Sequence, residues 1–196
     1  MGVDDDVRAH QAKLKVPTYA RHLGERVIRD VSVLLAYEAV NDEVIEDPTA
    51  LARLRERQAA RQLPPVYWEH PVVQEHGSEG VYPMAIYLDG TPFRKKNSVL
   101  AFVIINIITG TRFLAAVLRK SELCRCGCKG WCSRFTVWSY IRWNLEVLAS
   151  KAFPTIPFAG LEWSEGRSSW GGGGLCLYVR ACVVHVKSDW LEAAVS

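Results

Sequence analysis

The stretch PMAIYLDGT, residues 83–91, is a short apolar run that leads into Asp89-Gly90. A second run, ACVVHVKSDW at residues 181–190, is also apolar and leads into Asp189. Runs of this length and composition predict buried strands. The segment between them is long enough for a crossover connection. We therefore expect two neighbouring parallel strands whose terminal carboxylates face each other.

The segment between the two runs predicts a hairpin and a helix. Residues 98–108 and 111–120 are β-branched and aromatic runs on either side of Thr109-Gly110, which is typical of a hairpin. Apolar residues at helical spacing over residues 133–151 predict a helix with Ser133 as its N-cap. The order strand, hairpin, helix, strand predicts an α/β domain with a mixed sheet over residues 81–196.

The first part of the chain has a different pattern. Residues 1–63 are predicted to be a helical N-terminal region, because apolar residues recur at helical spacing over residues 22–40 and Asp47-Pro48 is typical of a helix start. Residues 64–80, with three prolines and two glycines, are predicted to be a linker. Residues 99–118 are about long enough to span a bilayer, but Arg112 and several polar residues interrupt them, which favours the hairpin.

The charge of the chain is unevenly distributed. Residues 94–151 carry 11 basic and two acidic residues, whereas residues 1–93 are net acidic by five charges. A folded basic block favours a polyanion such as nucleic acid as partner. A solvated basic face opposite an acidic one in the same molecule is the alternative. The candidate nucleic-acid-binding residues are Arg94, Lys95, Lys96, Arg119, Lys120, Arg125 and Lys129.

The two aspartates suggest a metal site. Carboxylate oxygens are the ligands that Mg²⁺ prefers, and paired Mg²⁺ ions can activate a water and stabilise the leaving oxygen of a phosphodiester. Asp89 and Asp189 are therefore candidate catalytic residues and Mg²⁺ ligands. The alternative is structural, since Asp-Gly is a common turn sequence and Asp189 can cap a short terminal helix.

Four of the six cysteines lie close together in a basic segment, residues 124–132, which we treat as a cysteine-rich insert. Cys124, Cys126, Cys128 and Cys132 follow the pattern C-x-C-x-C-x3-C, and four thiolates suit a tetrahedral Zn²⁺. Reduced thiols without metal and disulfides are the alternatives. Cys176, Cys182 and His185 are candidate distant ligands, although strand alternation places Cys182 and His185 on opposite faces.

The sequence also resembles a known family. The order YLDGT, hairpin, basic strand, helix and VVHVKSDW resembles the RNase H-like fold of DDE-type transposases and integrases. The segments LRKSELCRCGCKGWC and KSDWLE are similar to those of transposase-derived proteins of eukaryotic mobile elements. The resemblance covers about residues 80–192. It implies an RNase H-like sheet in which Asp89 is the first catalytic carboxylate and Asp189 the second.

The chain also departs from that family. The third acidic residue normally lies on a helix well beyond the second, and Glu192 is too close to Asp189 to fill that role. We therefore expect a nucleic-acid-binding remnant, with DNA as the favoured partner and weak or no catalysis. A non-catalytic, zinc-stabilised interaction module with a basic binding face is the alternative. The sequence indicates no small-molecule substrate and no membrane partner, gives no oligomeric state, and favours an intracellular location, with the nucleus as a candidate compartment.

Overall fold

The structure is a computed structural model that describes residues 10–94, 97–162 and 176–188; for residues 91–94, 97 and 188 it describes the backbone alone. The described part of the chain starts with two strands and a run of four helices. These are β1 (Gln11–Ala20), β2 (Glu25–Leu34), α1 (Ala36–Glu46), α2 (Ala50–Ala59), α3 (Pro65–Glu69) and α4 (Pro71–His76). The remaining elements are β3 (Val81–Arg94), β4 (Asn97–Asn106), β5 (Arg112–Arg119), α5 (Trp131–Ser150), β6 (Leu161–Glu162) and β7 (Arg180–Ser188).

One seven-stranded mixed sheet organises the protein, in the order β6-β1-β2-β5-β4-β3-β7. The pair β3 and β7 is parallel, and the other pairs are antiparallel. The predicted strand, hairpin, helix and strand are confirmed as β3, β4 with β5, α5, and β7. The predicted parallel neighbours are confirmed as well. The chain is thus a mixed α/β protein.

The helical prediction for the N-terminal region is wrong over residues 11–34, which form the hairpin of β1 and β2. Val27 and Val31 fit a helical face because they are four residues apart, but the same spacing also fits alternate positions of a strand. The β-branched content of β2 and the positive φ of 70° at Gly24, in the connection, favour the hairpin. The predicted helix after Asp47 is confirmed as α2.

Two further predictions are corrected. Residues 64–80, expected to be a linker, contain the short helices α3 and α4. The strand from residue 83 does not stop at Asp89-Gly90, because β3 continues to Arg94 and Asp89 pairs with Ala101 inside the sheet. Within the described part of the chain, every helix is too short or too polar to cross a lipid bilayer.

The core lies on one face of the sheet, beneath α5. Phe102 is fully buried and its ring meets that of Trp138 edge-on, with centroids 5.3 Å apart. Asn144, also fully buried, joins α5 to α1 because its Oδ1 accepts from the backbone N–H of Tyr37 at 3.4 Å. The Tyr140 hydroxyl donates to the Leu34 carbonyl at 2.7 Å and ties α5 to the end of β2. This packing fixes α5, and with it the cysteine-rich insert, relative to the sheet.

Candidate functional site: an open sheet face and a four-cysteine loop

The face of the sheet opposite Phe102 carries Asp89. Residues paired directly across neighbouring strands point to the same face, so the register places Asp89, Ala101 and Val117 in one row. The next row contains Tyr87, Val103 and Leu114. Leu114 and Val117 are 55% and 38% exposed, and Asp89 is partly buried. We call the surface formed by these two rows the open face.

Basic side chains border the open face. Lys187 pairs with Tyr87 across β7 and β3, and its Nζ lies 6.0 Å from the centre of the Tyr87 ring. Arg112 and Arg119, both exposed, lie near the two ends of β5. Arg119 contacts Glu122, with 3.3 Å between Nη1 and Oε1. Three basic residues thus border a surface of partly exposed apolar residues and one acidic residue, Asp89.

Asp189, the second predicted carboxylate, lies outside the described residues. The parallel register between β3 and β7 can be followed as far as Leu88 and Ser188, the residues that precede the two aspartates in sequence. Among the described residues, Asp89 belongs to no group of three or more potential metal ligands. The expectation that it binds Mg²⁺ therefore remains a prediction.

The other predicted basic residues divide by location. Arg119 borders the open face, whereas Lys120, Arg125 and Lys129 lie in the segment that leads from β5 to α5. Arg125 is exposed and its guanidinium lies 5.1 Å from the centre of the Tyr19 ring. The side chain of Arg94, and Lys95 and Lys96 entirely, lie outside the described residues.

Sequence reasoning missed Arg112 and Lys187 as members of the basic border. Both lie at alternate positions of strands that the sequence did predict, so the signal was the strand periodicity. The missing information was the register between strands, which places Lys187 beside Tyr87. Register depends on contacts between distant segments, and a single strand sequence does not contain it.

The four clustered cysteines converge in the structure. The Sγ atoms of Cys124, Cys126, Cys128 and Cys132 all lie within 4.8 Å of one another. Those of Cys126 and Cys132 are 3.6 Å apart. Four sulfurs around a tetrahedral Zn²⁺ with bonds of about 2.3 Å lie about 3.8 Å apart. The cluster therefore has the ligand number and nearly the spacing of a metal site, and can hold a metal such as zinc.

Backbone contacts form this cysteine loop, which we define as residues 123–132. The N–H of Gly130 donates to the Cys124 carbonyl, and that of Trp131 to the Cys128 carbonyl, each at 2.9 Å. Gly130 has a φ of 85°, and a Cβ there would lie 3.1 Å from that of Leu123. Glycine is therefore required at this bend for both conformation and space.

Ser133 was predicted to cap the helix, but α5 begins at Trp131 and Gly130 occupies the cap position. The buried Ser133 instead joins the cysteine loop to β1. Its Oγ accepts from the N–H of Cys124 at 2.9 Å and donates to the Pro17 carbonyl at 2.5 Å. Leu123 forms an additional bridge with Thr18. The loop is therefore anchored to the N-terminal hairpin as well as to α5.

The lowered pKa of one thiol, Cys128, favours a bound cation. Hydrogen bonding from the backbone N–H of Cys132 lowers the pKa of the Cys128 thiol to about 6. Hydrogen bonding with Cys128 raises the pKa of Cys132 to about 12, and burial raises the pKa of Cys124. In the metal-free protein at neutral pH, the thiolate is on Cys128 and its neighbours Cys124 and Cys132 keep their protons. A divalent cation stabilises further thiolates and displaces those protons.

The predicted distant ligands are not part of this cluster. Among the described residues, the group of potential ligands contains the four clustered cysteines and neither Cys176, Cys182 nor His185. Cys182 is buried and burial raises its pKa to about 12, whereas His185 is exposed. The register of β7 against β3 shifts between Met84 and Ala85, which interrupts the alternation between Cys182 and His185, so their placement on opposite faces stays a prediction.

A cleft of about 860 Å³ separates β2 from β5 and was not foreseen. Among the described residues, the pair Val33 and Ala116 is the one register contact between these strands, so they diverge on either side of it. Apolar residues such as Phe113 and Leu118 line the cleft together with Asp42 and Arg29. Its volume falls in the range of small-molecule sites, but its charges are mixed and indicate no particular ligand.

Comparison with known proteins gives no match for this chain, either among protein-family models, among curated proteins or among solved structures.

Proposed function

We propose that the chain is a zinc-stabilised, nucleic-acid-binding domain whose core is RNase H-like, of the kind found in transposase-derived proteins. The observation that carries the proposal is the path of the chain from β3 to β7. It runs strand, antiparallel hairpin, helix, parallel strand, which is the arrangement that the resemblance implies. The hairpin β1 and β2 extends this arrangement beyond β5.

The distribution of charge supports a polyanionic partner. The open face is bordered by Arg112, Arg119 and Lys187, and the cysteine loop adds Arg125 and Lys129. Binding to phosphates releases condensed counterions, so several exposed cations on one surface favour DNA or RNA. The half-exposed apolar rows between the cations can contact sugars and bases. This combination fits nucleic acid better than an acidic protein.

Zinc has a structural role in this proposal. Four cysteine thiolates give a closed coordination sphere, which is typical of structural rather than catalytic zinc. They bring a net charge of minus two to the site when Zn²⁺ is bound, and Arg125 and Lys129 lie next to three of the ligands in sequence. The metal would fix the connection between β5 and α5.

Binding tests the proposal most directly. Fluorescence anisotropy with labelled duplex DNA is expected to show affinity that falls steeply with salt. The double variant Arg112→Gln/Arg119→Gln is expected to reduce the slope of log K against log salt by about two, because each arginine accounts for about one phosphate contact. The matched control is Arg55→Gln/Arg142→Gln, which removes two exposed arginines from helices α2 and α5. Equal effects of the two double variants, or absence of salt-dependent binding, would contradict the proposal.

Residual phosphodiester cleavage is a second candidate function. It is favoured by the parallel pairing of β3 and β7 and by the position of Asp89 on the open face rather than in the core. The described residues supply one carboxylate there, and the second predicted carboxylate, Asp189, lies outside them, so no catalytic step is derived.

A nuclease assay with Mg²⁺ or Mn²⁺ tests this candidate. Cleavage that is lost in Asp89→Asn, with DNA binding unchanged, would support catalysis. Asp42→Asn is the control, since Asp42 is a half-exposed aspartate on α1. Equal cleavage by wild type and Asp89→Asn would contradict it and leave nucleic-acid binding as the function.

A further inference from the structure

Two large aromatic side chains are exposed beside the cysteine loop. Trp131 and Phe135 lie on successive turns of α5 and are 47% and 55% exposed. Their ring centroids are 5.7 Å apart and their planes are inclined by 35°. The other large aromatics of this helix pack inside the molecule, such as Trp138 against Phe102. The exposed pair therefore contributes little to the core and is free to contact a partner.

The pair is held in a fixed position. The N–H of Trp131 donates to the Cys128 carbonyl, and the Cys132 thiol next to it belongs to the metal-binding cluster. Phe135 lies one turn further along a helix of 20 residues. Aromatic side chains lose little conformational entropy on binding, and attachment to a rigid helix reduces the loss further.

The charge around the pair favours nucleic acid as its partner. From Lys120 to Arg134 the sequence contains four basic residues and one acidic residue, Glu122. Lys129 and Arg125 are exposed. An apolar protein partner or a second copy of the chain would not require this excess of cations. Aromatic rings flanked by cations are typical of surfaces that bind the bases and the phosphates of unpaired strands.

We propose that Trp131 and Phe135 form a stacking site for unpaired bases, so that the domain binds single-stranded DNA or RNA at the cysteine loop. The bases of a duplex are stacked on each other and are not available to the two rings. A strand end, a loop or an opened duplex is therefore the substrate class of this surface, which rests on the proposed nucleic-acid-binding function. The open face remains available for a duplex.

The experiment compares strands with and without bases. Anisotropy is measured with a labelled oligothymidylate of about 16 nucleotides, with the corresponding uridine strand, and with an abasic strand of the same length and charge. Wild type is expected to bind both base-containing strands more tightly than the abasic strand. Trp131→Ala is expected to weaken binding of the base-containing strands at least about fivefold and to leave abasic and duplex binding unchanged.

Controls separate stacking from folding and from general binding. Tyr178→Ala removes an aromatic side chain that is 64% exposed and lies outside the cysteine loop, and it is expected to have no effect. If Trp131→Ala loses metal or structure, Phe135→Ala and Trp131→Phe replace it. Phe135→Ala is expected to weaken binding of the base-containing strands, and Trp131→Phe is expected to retain it.

Three outcomes overturn the inference. Equal binding of base-containing and abasic strands by wild type, or equal affinities of wild type and Phe135→Ala, refutes stacking while duplex binding leaves the proposed function intact. Failure to bind any of the nucleic acids refutes both. A difference between the thymidine and uridine strands identifies which of the two is preferred.

Discussion

Metal removal should destabilise the whole molecule, because the cysteine loop is anchored on two sides. One Zn²⁺ per chain is expected after purification, held by Cys124, Cys126, Cys128 and Cys132. A metal that binds the folded state alone contributes about 4 kcal/mol when its free concentration is about a thousand times the dissociation constant. For a chain of this size that corresponds to a loss of about 8–16 °C in the unfolding midpoint on chelation.

The structure also predicts which segments lose protection from amide hydrogen exchange first when the metal is removed. Ser133, which accepts from the N–H of Cys124, donates to the Pro17 carbonyl of β1 at 2.5 Å. The side chain of Arg21, just after β1, donates to the carbonyl of Ser121, just before the loop, at 3.2 Å. Chelation should therefore speed amide hydrogen exchange in β1 as well as in the loop. The central pair β3 and β4, which lies further away in the sheet order, should remain protected.

The assay combines metal analysis, thermal unfolding with and without chelator, and exchange measured by mass spectrometry. Cys126→Ser should lose the metal, lower the midpoint and remove the response to chelator. Cys176→Ser is the matched control, because Cys176 is an exposed cysteine outside the cluster. Purified protein without bound metal, in which the four clustered thiols titrate freely and the unfolding midpoint does not change with chelator, would refute the reasoning.

Three further outcomes follow from particular residues. In the metal-free protein at pH 7, iodoacetamide should label Cys128 before Cys182, because the pKa of Cys128 is lowered to about 6 and that of Cys182 is raised to about 12. Peptide mapping checks this order of labelling, and the preference for Cys128 should fade as the pH falls below about 6, where its thiol is protonated. Asn144→Ala should lower the free energy of unfolding by about 1–3 kcal/mol in a denaturant titration, because the buried N–H of Tyr37 loses its acceptor; no change would show that the bond at 3.4 Å contributes nothing. Gly130→Ala should weaken metal binding more than Gly110→Ala weakens it, since both glycines have a φ above 80° but only Gly130 has a neighbour within 4 Å of the added Cβ; equal metal affinities would contradict this.

Much of the central fold could be predicted from the sequence. The strands β3, β4, β5 and β7 and helix α5 follow from apolar runs, turn residues and spacing, which are local properties. The parallel partnership of β3 and β7 also followed, because a crossover of this kind has few alternatives. The clustering of the four cysteines could also be predicted, since their spacing is short and glycines lie between them.

The N-terminal hairpin could not be predicted in the same way. A valine every four residues satisfies both the helical and the strand periodicity, so Val27 and Val31 do not distinguish them. What favours the strand is the edge of β5, where Val33 pairs with Ala116, and the packing of Leu14 and Val16 in the core. These are contacts between distant parts of the chain, and tertiary packing of this kind overrides local propensity.

The N-terminal hairpin of β1 and β2 supports the cysteine loop through direct contacts. The loop needs two rigid supports if a metal is to hold it in one geometry, and α5 supplies one of them. The other is the end of β1, where Pro17 and Thr18 contact Ser133 and Leu123. The exposed Arg125 lies over the ring of Tyr19 at the same end of the strand, which adds a contact between the loop and β1. A module without the hairpin would leave the loop supported on one side, so the hairpin and the cysteine loop form one structural unit.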